Sequence, residues 1–255
     1  MAELRNFQTG TQSGVMIDAG LRSYMLKVYN LMMFGVGITG VAAYVTTLLT
    51  TTNDPSQAAA TMRGGVMLTQ LGVALYTSPL QWVVMLAPLA LVFFLSFRIH
   101  KMSVSAAQGT FWAYAALLGV SLSSILLVYT AASITQTFFV TAASFGALSL
   151  YGYTTKRDLS GMGSFLVMGL FGVILASIVN IFLKSSGLEF AISIIGVLVF
   201  SGLTAWDTQK IKEMYFDADD EVTYGRKAVM GALTLYLDFI NLFLFMLRFL
   251  GNNRN

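Results

Sequence analysis

The chain has 255 residues, of which 56% are hydrophobic and only 11% are charged, with a formal net charge of +3. Soluble domains carry about 25% charged residues, so this composition excludes a soluble domain and indicates an integral membrane protein. The absence of cysteine excludes disulfides and thiolate metal sites, and the single histidine excludes a multi-histidine metal site. The small positive charge indicates a bias in the loops, not a nucleic-acid interface.

Seven apolar stretches are each long enough to cross a bilayer as a helix, which takes about 20 residues. They are Val28–Leu49, Leu80–Ile99, Thr110–Tyr129, Thr135–Tyr153, Ser164–Leu183, Gly187–Thr208 and Ala228–Leu250. Only a few residues separate spans three and four, and likewise spans five and six, so each of these pairs is predicted to form an antiparallel helical hairpin. The predicted fold is an all-α integral membrane protein with seven transmembrane helices.

The distribution of Lys and Arg predicts how the chain lies in the membrane, because cytoplasmic loops carry an excess of these residues. With seven spans, eleven of the fifteen basic residues fall on the side of the amino terminus and four on the other side. This bias predicts a cytoplasmic amino-terminal segment at 1–27, a transmembrane domain at 28–250 and a short tail at 251–255 outside the cell.

Two loops are unusually long. The loop 50–79, on the predicted outer face, contains the semi-apolar stretch Ala58–Tyr76, which we interpret as an interfacial helix; the alternative is an eighth, poor membrane segment. The cytoplasmic loop 209–227 is acidic, and its run Asp217–Glu221 loosely resembles a calcium loop. It lacks the Asp-x-Asp-x-Asp-Gly spacing and the distal glutamate of an EF-hand, so we favour a solvated acidic loop.

Two aspartates lie within apolar spans: Asp207 closes span six, and Asp238 sits inside span seven. A carboxylate within a membrane helix is costly and usually functional, and we take each aspartate as the other's partner. By hydropathy alone Asp207 lies near the cytoplasmic end, whereas Asp238 lies about 15 Å deep, so pairing requires span six to be drawn inward or water to reach Asp238. The alternative makes Asp207 an interfacial helix-end residue and pairs Asp238 with Asn241 or Tyr236.

The sequence Gly-x-x-x-x-Asp-Thr-Gln at Gly202–Gln209, the stretch around Asp238 and the stretch Ala143–Leu166 together resemble the Bax inhibitor-1 family, also called the lifeguard family. The run Tyr151–Ser160 points to a bacterial member in the plasma membrane. The resemblance implies a central seventh helix wrapped by the other six. It also implies a pH-sensitive calcium leak in which Asp207 and Asp238 share a proton and form the pH sensor, with Arg98 as the best match to an arginine that latches the pore.

The physical chemistry of two close carboxylates fits a sensor. In a low dielectric the ionisation of both carboxyls is unfavourable, because their negative charges repel each other. A proton shared between them gives a strong hydrogen bond that joins span six to span seven. Asn241 lies one turn from Asp238 on the same helix face and is expected to support the pair. Once charged, Asp207 and Asp238 are also the best candidates for a calcium site, since this hard cation prefers oxygen ligands.

Calcium is then the transported ion, with protons as the second ligand, and no cofactor is expected. The competing function is a non-conducting membrane regulator that binds a membrane protein such as a membrane-bound protease. An intramembrane aspartyl protease is disfavoured because the Tyr-Asp and Gly-x-Gly-Asp patterns of that class are absent, so we do not expect an enzyme.

Overall fold

The computed structural model describes residues 2–62 and 65–253, with the helical backbone alone for residues 2–18. Nine α-helices make up most of the described chain. They are α1 Ala2–Thr50, α2 Gln70–Thr77, α3 Leu80–Arg98, α4 Val104–Leu122, α5 Ile125–Val128, α6 Ala131–Thr154, α7 Ser160–Leu183, α8 Ser186–Glu213 and α9 Glu221–Leu250. Seven helical segments are long and apolar enough to cross a membrane, with α4 and α5 forming one span and the span of α1 beginning at Ala19. The expected seven-span, all-α membrane architecture is confirmed.

The most buried span is α9: 56% of its most apolar window is buried, against 11% for α3 and for α7. Helices α1, α4, α6 and α8 pack against it, while α3 packs on α4 and α7 packs on α8. The exposed sides of α3 and α7 carry large apolar side chains such as Phe97 and Phe182, as lipid contact requires. The packing thus places α9 at the centre of the bundle.

Helices α8 and α9 both extend beyond the predicted spans. Helix α8 continues past Thr208 to Glu213, and α9 begins at Glu221 instead of Ala228, so the connection shrinks from 209–227 to 214–220. Hydropathy falls at Lys210 and Lys212 because these residues are charged, but the helix continues outside the apolar layer.

The acidic residues of this connection have structural partners. Asp219 forms an ion pair with Lys227 at 2.5 Å, and the Asp220 carboxylate caps α9 by accepting from the backbone N–H of Val222 and Thr223. Hydrogen bonding with Thr223 is the largest cause that holds the pKa of Asp220 below its usual value. These contacts fit a solvated acidic connection that starts a helix.

The structure of the 50–79 loop differs from the prediction. Three two-residue strands form an antiparallel sheet in the order β1-β3-β2, and they are β1 Thr51–Thr52, β2 Ala60–Thr61 and β3 Met67–Leu68. Only the second half of the predicted interfacial helix is helical, as the eight-residue α2, and Arg63 lies outside the described residues. The prediction of one helix over Ala58–Tyr76 is therefore wrong. At about 12 Å, α2 is also too short to be an eighth span.

The chain ends define two faces of the bundle. The amino-terminal face holds the start of the first span and the connections 99–103, 155–159 and 214–220. At the opposite face the C-terminal residues pack on the start of α6, where Asn252 N–H donates to Ser133 Oγ (3.0 Å). An odd number of spans places the two chain ends on opposite faces.

Candidate functional site

The structure brings the two intramembrane aspartates together. Asp207 on α8 and Asp238 on α9 are 8% and 5% exposed, and their carboxyls lie within side-chain hydrogen-bonding range of each other. Helices α8 and α9 pack along each other, so the pair joins the central helix to its neighbour.

The register of α8 and α9 explains how the two residues meet. Gly231 packs against Ile211, and Gly196 packs against the ring of Phe245. Both aspartates lie between these two contact points on antiparallel helices. Asp207 is six residues, about 9 Å, from the end of α8. Because α8 continues past Thr208, Asp207 lies inside the helix, where it can reach Asp238.

One carboxylate oxygen of the pair has no hydrogen-bond donor in the part of the chain that the structure describes. Asp238 Oδ2 is buried without a hydrogen-bond partner among the described residues, and an unpaired buried acceptor is costly. A cation close enough to act on Asp207 is the exposed Lys210, one turn further along α8, whose ammonium lies 5.0 Å from the centroid of the Trp206 ring. A proton placed between the two carboxyls would supply the missing donor and remove the repulsion of two buried charges.

The residues after Asp207 connect α8 to two other parts of the chain. Thr208 Oγ1 donates to the carbonyl of Thr204 (2.7 Å) and lies 2.8 Å from Ser149 Oγ on α6. Ser149 Oγ lies in turn 2.6 Å from the hydroxyl of Tyr29 on α1. A chain of hydroxyls therefore crosses three helices and ends beside Asp207.

Gln209 clamps the connection between α6 and α7. Its side-chain Nε2 donates to the carbonyl of Arg157 (2.8 Å), and its Oε1 accepts from the backbone N–H of Leu159 (2.9 Å). In the same connection between α6 and α7, hydrogen bonds from Ser160 hold the pKa of Asp158 below its usual value. The motif Asp-Thr-Gln thus fixes α8 to α9, α6 and the 155–159 connection in turn.

Replacing Gln209 with alanine should lower the thermal midpoint of the purified protein, because two hydrogen bonds are lost and the Leu159 N–H is left buried. We expect a loss of about 1–3 kcal/mol of stability. Gln81→Ala is the matched control, since Gln81 is exposed and makes no side-chain hydrogen bond among the described residues. Equal midpoints for the two variants would contradict the clamp.

Sequence reasoning missed a second polar contact of the central helix. The hydroxyl of Tyr236 lies 2.6 Å from Thr39 Oγ1 on α1, and this Thr39 atom also lies 2.9 Å from the carbonyl of Ala115 on α4. The contact fixes α9 to α1 and α4 two residues from Asp238. The sequence of an apolar span does not indicate whether the hydroxyl of a tyrosine in it forms a hydrogen bond. The alternative partner Tyr236 for Asp238 is not supported by this contact.

The other predicted site residues lie apart from the pair. Asn241 donates its side-chain amide to the carbonyl of Leu237 (2.8 Å), one turn earlier on its own helix, and makes no hydrogen bond to either carboxyl. The Arg98 side chain is exposed at the end of α3 and forms no ion pair within the described residues.

A hydrogen bond between α9 and the residues that follow α3 shows that Arg98 lies far from the two aspartates. Arg226 Nε donates to the carbonyl of Met102 (2.7 Å), which sets the level of α9 against α3. Asp238 lies twelve residues further along α9, about 18 Å, whereas Arg98 lies only four residues, about 6 Å, from Met102. This conformation therefore contains no latch between Arg98 and the aspartates.

The carboxyl pair is a sparse metal site. Among the residues that the structure describes, no group of three or more His, Cys, Asp or Glu side chains could hold a metal ion. Calcium takes six to eight oxygen ligands, and two carboxylates supply at most four. The pair fits a passing cation that keeps part of its water shell better than a resident ion.

Comparison with known proteins identifies relatives along nearly the whole chain. Residues 21–255 match the family described as "Inhibitor of apoptosis-promoting Bax1". A protein of Rickettsia prowazekii is 48% identical over 247 residues, covering 97% of each chain. The inner membrane protein YbhL of Escherichia coli K12 is 48% identical over 239 residues, covering 92% of this chain and 94% of YbhL. A membrane protein of Streptococcus pyogenes is 36% identical over 236 residues, covering 92% and 95%.

Proposed function

The chain belongs to the Bax inhibitor-1 family of membrane proteins, and from this premise we propose that it is a pH-sensitive calcium leak of the bacterial plasma membrane. The proposed gate is the pair Asp207 and Asp238. The observation that carries the proposal is the contact of two buried carboxyls between α8 and the central helix, with Asp238 Oδ2 lacking a protein donor.

The proposed mechanism uses the proton as the tie between two helices. With one proton, the carboxyls form a charge-assisted hydrogen bond that holds α8 against α9, and the leak is closed. Loss of this proton places two negative charges side by side in a low dielectric, where repulsion is strong. The helices then separate, and the leak opens as pH rises.

The calcium ion enters this scheme as cargo. Two ionised carboxylates attract a divalent cation and supply hard oxygen ligands, and water completes the shell. Because the closed pair carries one negative charge and the open pair carries two, opening and cation attraction occur together.

Calcium entry into liposomes that contain only the purified protein tests the proposal. We expect entry that exceeds that of protein-free liposomes and increases from pH 5.5 to 8.5. A regulator of a membrane protein partner needs that partner, so the competing function gives no entry above the protein-free background. Absence of entry at every pH would overturn the leak.

The latch role of Arg98 is a separate prediction about the closed state. If the end of α3 moves inward so that Arg98 compensates the pair, Arg98→Ala should raise calcium entry near neutral pH. Lys101→Ala is the matched control, since Lys101 is an exposed cation three residues away. Identical entry and pH profiles for Arg98→Ala and wild type would assign Arg98 to the headgroup layer.

The proposed orientation has the amino terminus in the cytoplasm, from the bias of Lys and Arg. Reporter fusions at Asn255 and within the connection 214–220 should report opposite sides, with the connection inside. Two cytoplasmic signals would contradict the seven-span orientation, because they require an even number of crossings between the connection and the carboxyl terminus.

A further inference from the structure

A large groove lies between α1 and α6 on the side of the bundle. Its volume is about 1020 Å³, its walls come from these two helices, and Phe239 of the central helix lies at its floor. Lining residues such as Met33 and Leu150 are 58% and 61% exposed, so the groove opens sideways to the surrounding lipid.

One end of the groove is polar and the rest is apolar. At the amino-terminal face it is lined by Arg22, Tyr29, Ser149 and Tyr153, and Tyr29 and Ser149 join the two walls by a 2.6 Å hydroxyl contact. Arg22 is exposed and forms no ion pair with the described side chains, which begin at residue 19. Further along, the lining consists of methionine, valine, leucine, phenylalanine, alanine and glycine side chains.

Three glycines widen the apolar part: Gly37 and Gly40 on α1 and Gly146 on α6. A Cβ atom built at any of them meets nothing within 4 Å, so packing within the described chain does not require glycine there. Glycine is the poorest helix former after proline. Something outside the chain that needs this space would account for all three.

We propose that the groove is a binding site for an anionic phospholipid, with the acyl chain between α1 and α6 and the phosphate at Arg22. From Arg22 to Gly40 the groove follows eighteen residues of helix, about 27 Å. One leaflet is half of a hydrocarbon core of about 30 Å. The groove is therefore long enough for an acyl chain that reaches the middle of the bilayer. The cation that lines the polar end, Arg22, fits the negative charge of the phosphate.

A transmembrane helix fits the groove poorly. A helix is about 10 Å in diameter, whereas the 2.6 Å contact of Tyr29 with Ser149 brings the walls α1 and α6 together at the polar end and leaves no room there for a body of that width. A hydrocarbon chain needs only contact distances of about 4 Å between carbons and can follow an irregular surface. The apolar lining and the closed polar end therefore favour a lipid chain.

The lipid site adjoins the carboxyl pair but does not depend on conduction. The hydroxyls of Tyr29 and Ser149, which line its polar end, continue to Thr208, the residue after Asp207. The site therefore goes beyond the proposed leak, and binding can be measured whether or not the protein conducts calcium.

Native mass spectrometry of the purified full chain with equal amounts of phosphatidylglycerol and phosphatidylcholine tests the headgroup. Wild type should retain phosphatidylglycerol in preference to phosphatidylcholine. Arg22→Gln should lower that preference about fivefold, the factor for one basic residue near the headgroups. Arg157→Gln, an exposed cation on the same face, is the control and should keep the wild-type ratio. No preference in wild type, or equal losses in both variants, would overturn the proposal.

Filling the groove tests the acyl-chain site. Gly146→Leu should reduce the amount of both bound lipids, because its side chain occupies the groove. Gly172→Leu is the matched control, since Gly172 on α7 is exposed, has nothing within 4 Å and does not line the groove. If Gly146→Leu fails to fold, Gly37→Leu on the opposite wall makes the same test. Equal lipid retention in the folded groove variant and the Gly172 control would overturn the site.

Discussion

Replacing either Asp207 or Asp238 with asparagine is expected to abolish the pH dependence of calcium entry into proteoliposomes. In the proposed mechanism the closed form binds one more proton than the open form, so the closed form is favoured as pH falls and the open form as pH rises. One proton changes the ratio of the two forms by at most about tenfold per pH unit. Asparagine keeps the shape and part of the hydrogen bonding but cannot share a proton with a second carboxylate.

The double variant distinguishes one sensor from two. If the carboxyls act as a unit, Asp207→Asn with Asp238→Asn should resemble either single variant, because effects within one unit do not add. Asp217→Asn is the control, since this exposed carboxylate accepts, among the described residues, from the hydroxyl of Tyr215 alone and should leave the profile unchanged. A single variant that keeps the wild-type midpoint and slope from pH 5.5 to 8.5 would disprove the shared proton.

The seven spans and their order were predictable because the membrane imposes a simple requirement. Each crossing needs about 20 apolar residues, and every span from Val28–Leu49 to Ala228–Leu250 overlaps one membrane-spanning segment of the structure. The aspartates were also predictable, since a carboxylate in an apolar span stands out against its neighbours.

That Asp207 and Asp238 lie at the same level along α8 and α9 was harder to predict. It depends on where α8 and α9 end, and these ends lie beyond the apolar residues. Lys210 and Lys212 read as loop residues, yet Lys212 lies on α8 and donates to the carbonyl of Tyr153 (2.9 Å), the last turn of α6. Hydropathy measures the width of the apolar layer and does not report helix that continues past it.

Several contacts of the site leave no trace in the sequence pattern. Gln209 bonds the backbone of residues some fifty positions away, and a backbone group carries no residue type to recognise. Strands of two residues, as in the 50–79 loop, are too short for an alternating pattern to appear. The groove between α1 and α6 depends on the distance between two helices that are remote in sequence.

Gly152→Ala is expected to destabilise the protein strongly, because α6 and α8 meet there backbone to backbone. A Cβ on Gly152 would lie close to the carbonyl carbon and oxygen of Ala205, a contact that no side-chain rotation can relieve. The helices must separate, and overpacking of this kind costs about 1–3 kcal/mol or more. The measurement is the thermal midpoint of the purified protein, with the yield of monodisperse protein as a second readout.

The same helix supplies the control for this effect. Gly146→Ala lies six residues earlier on α6, meets nothing within 4 Å, and should leave stability unchanged or raise it by up to about 1 kcal/mol through helix propensity. Ala205 lies two residues before Asp207, and the Ser149–Thr208 contact lies between the same helices, so their separation should also displace the carboxyl pair. Folded Gly152→Ala protein should therefore show an altered pH profile of calcium entry, whereas Gly146→Ala should not. A Gly152→Ala protein that matched Gly146→Ala in both midpoint and pH profile would show that the close approach of α6 and α8 does not position Asp207.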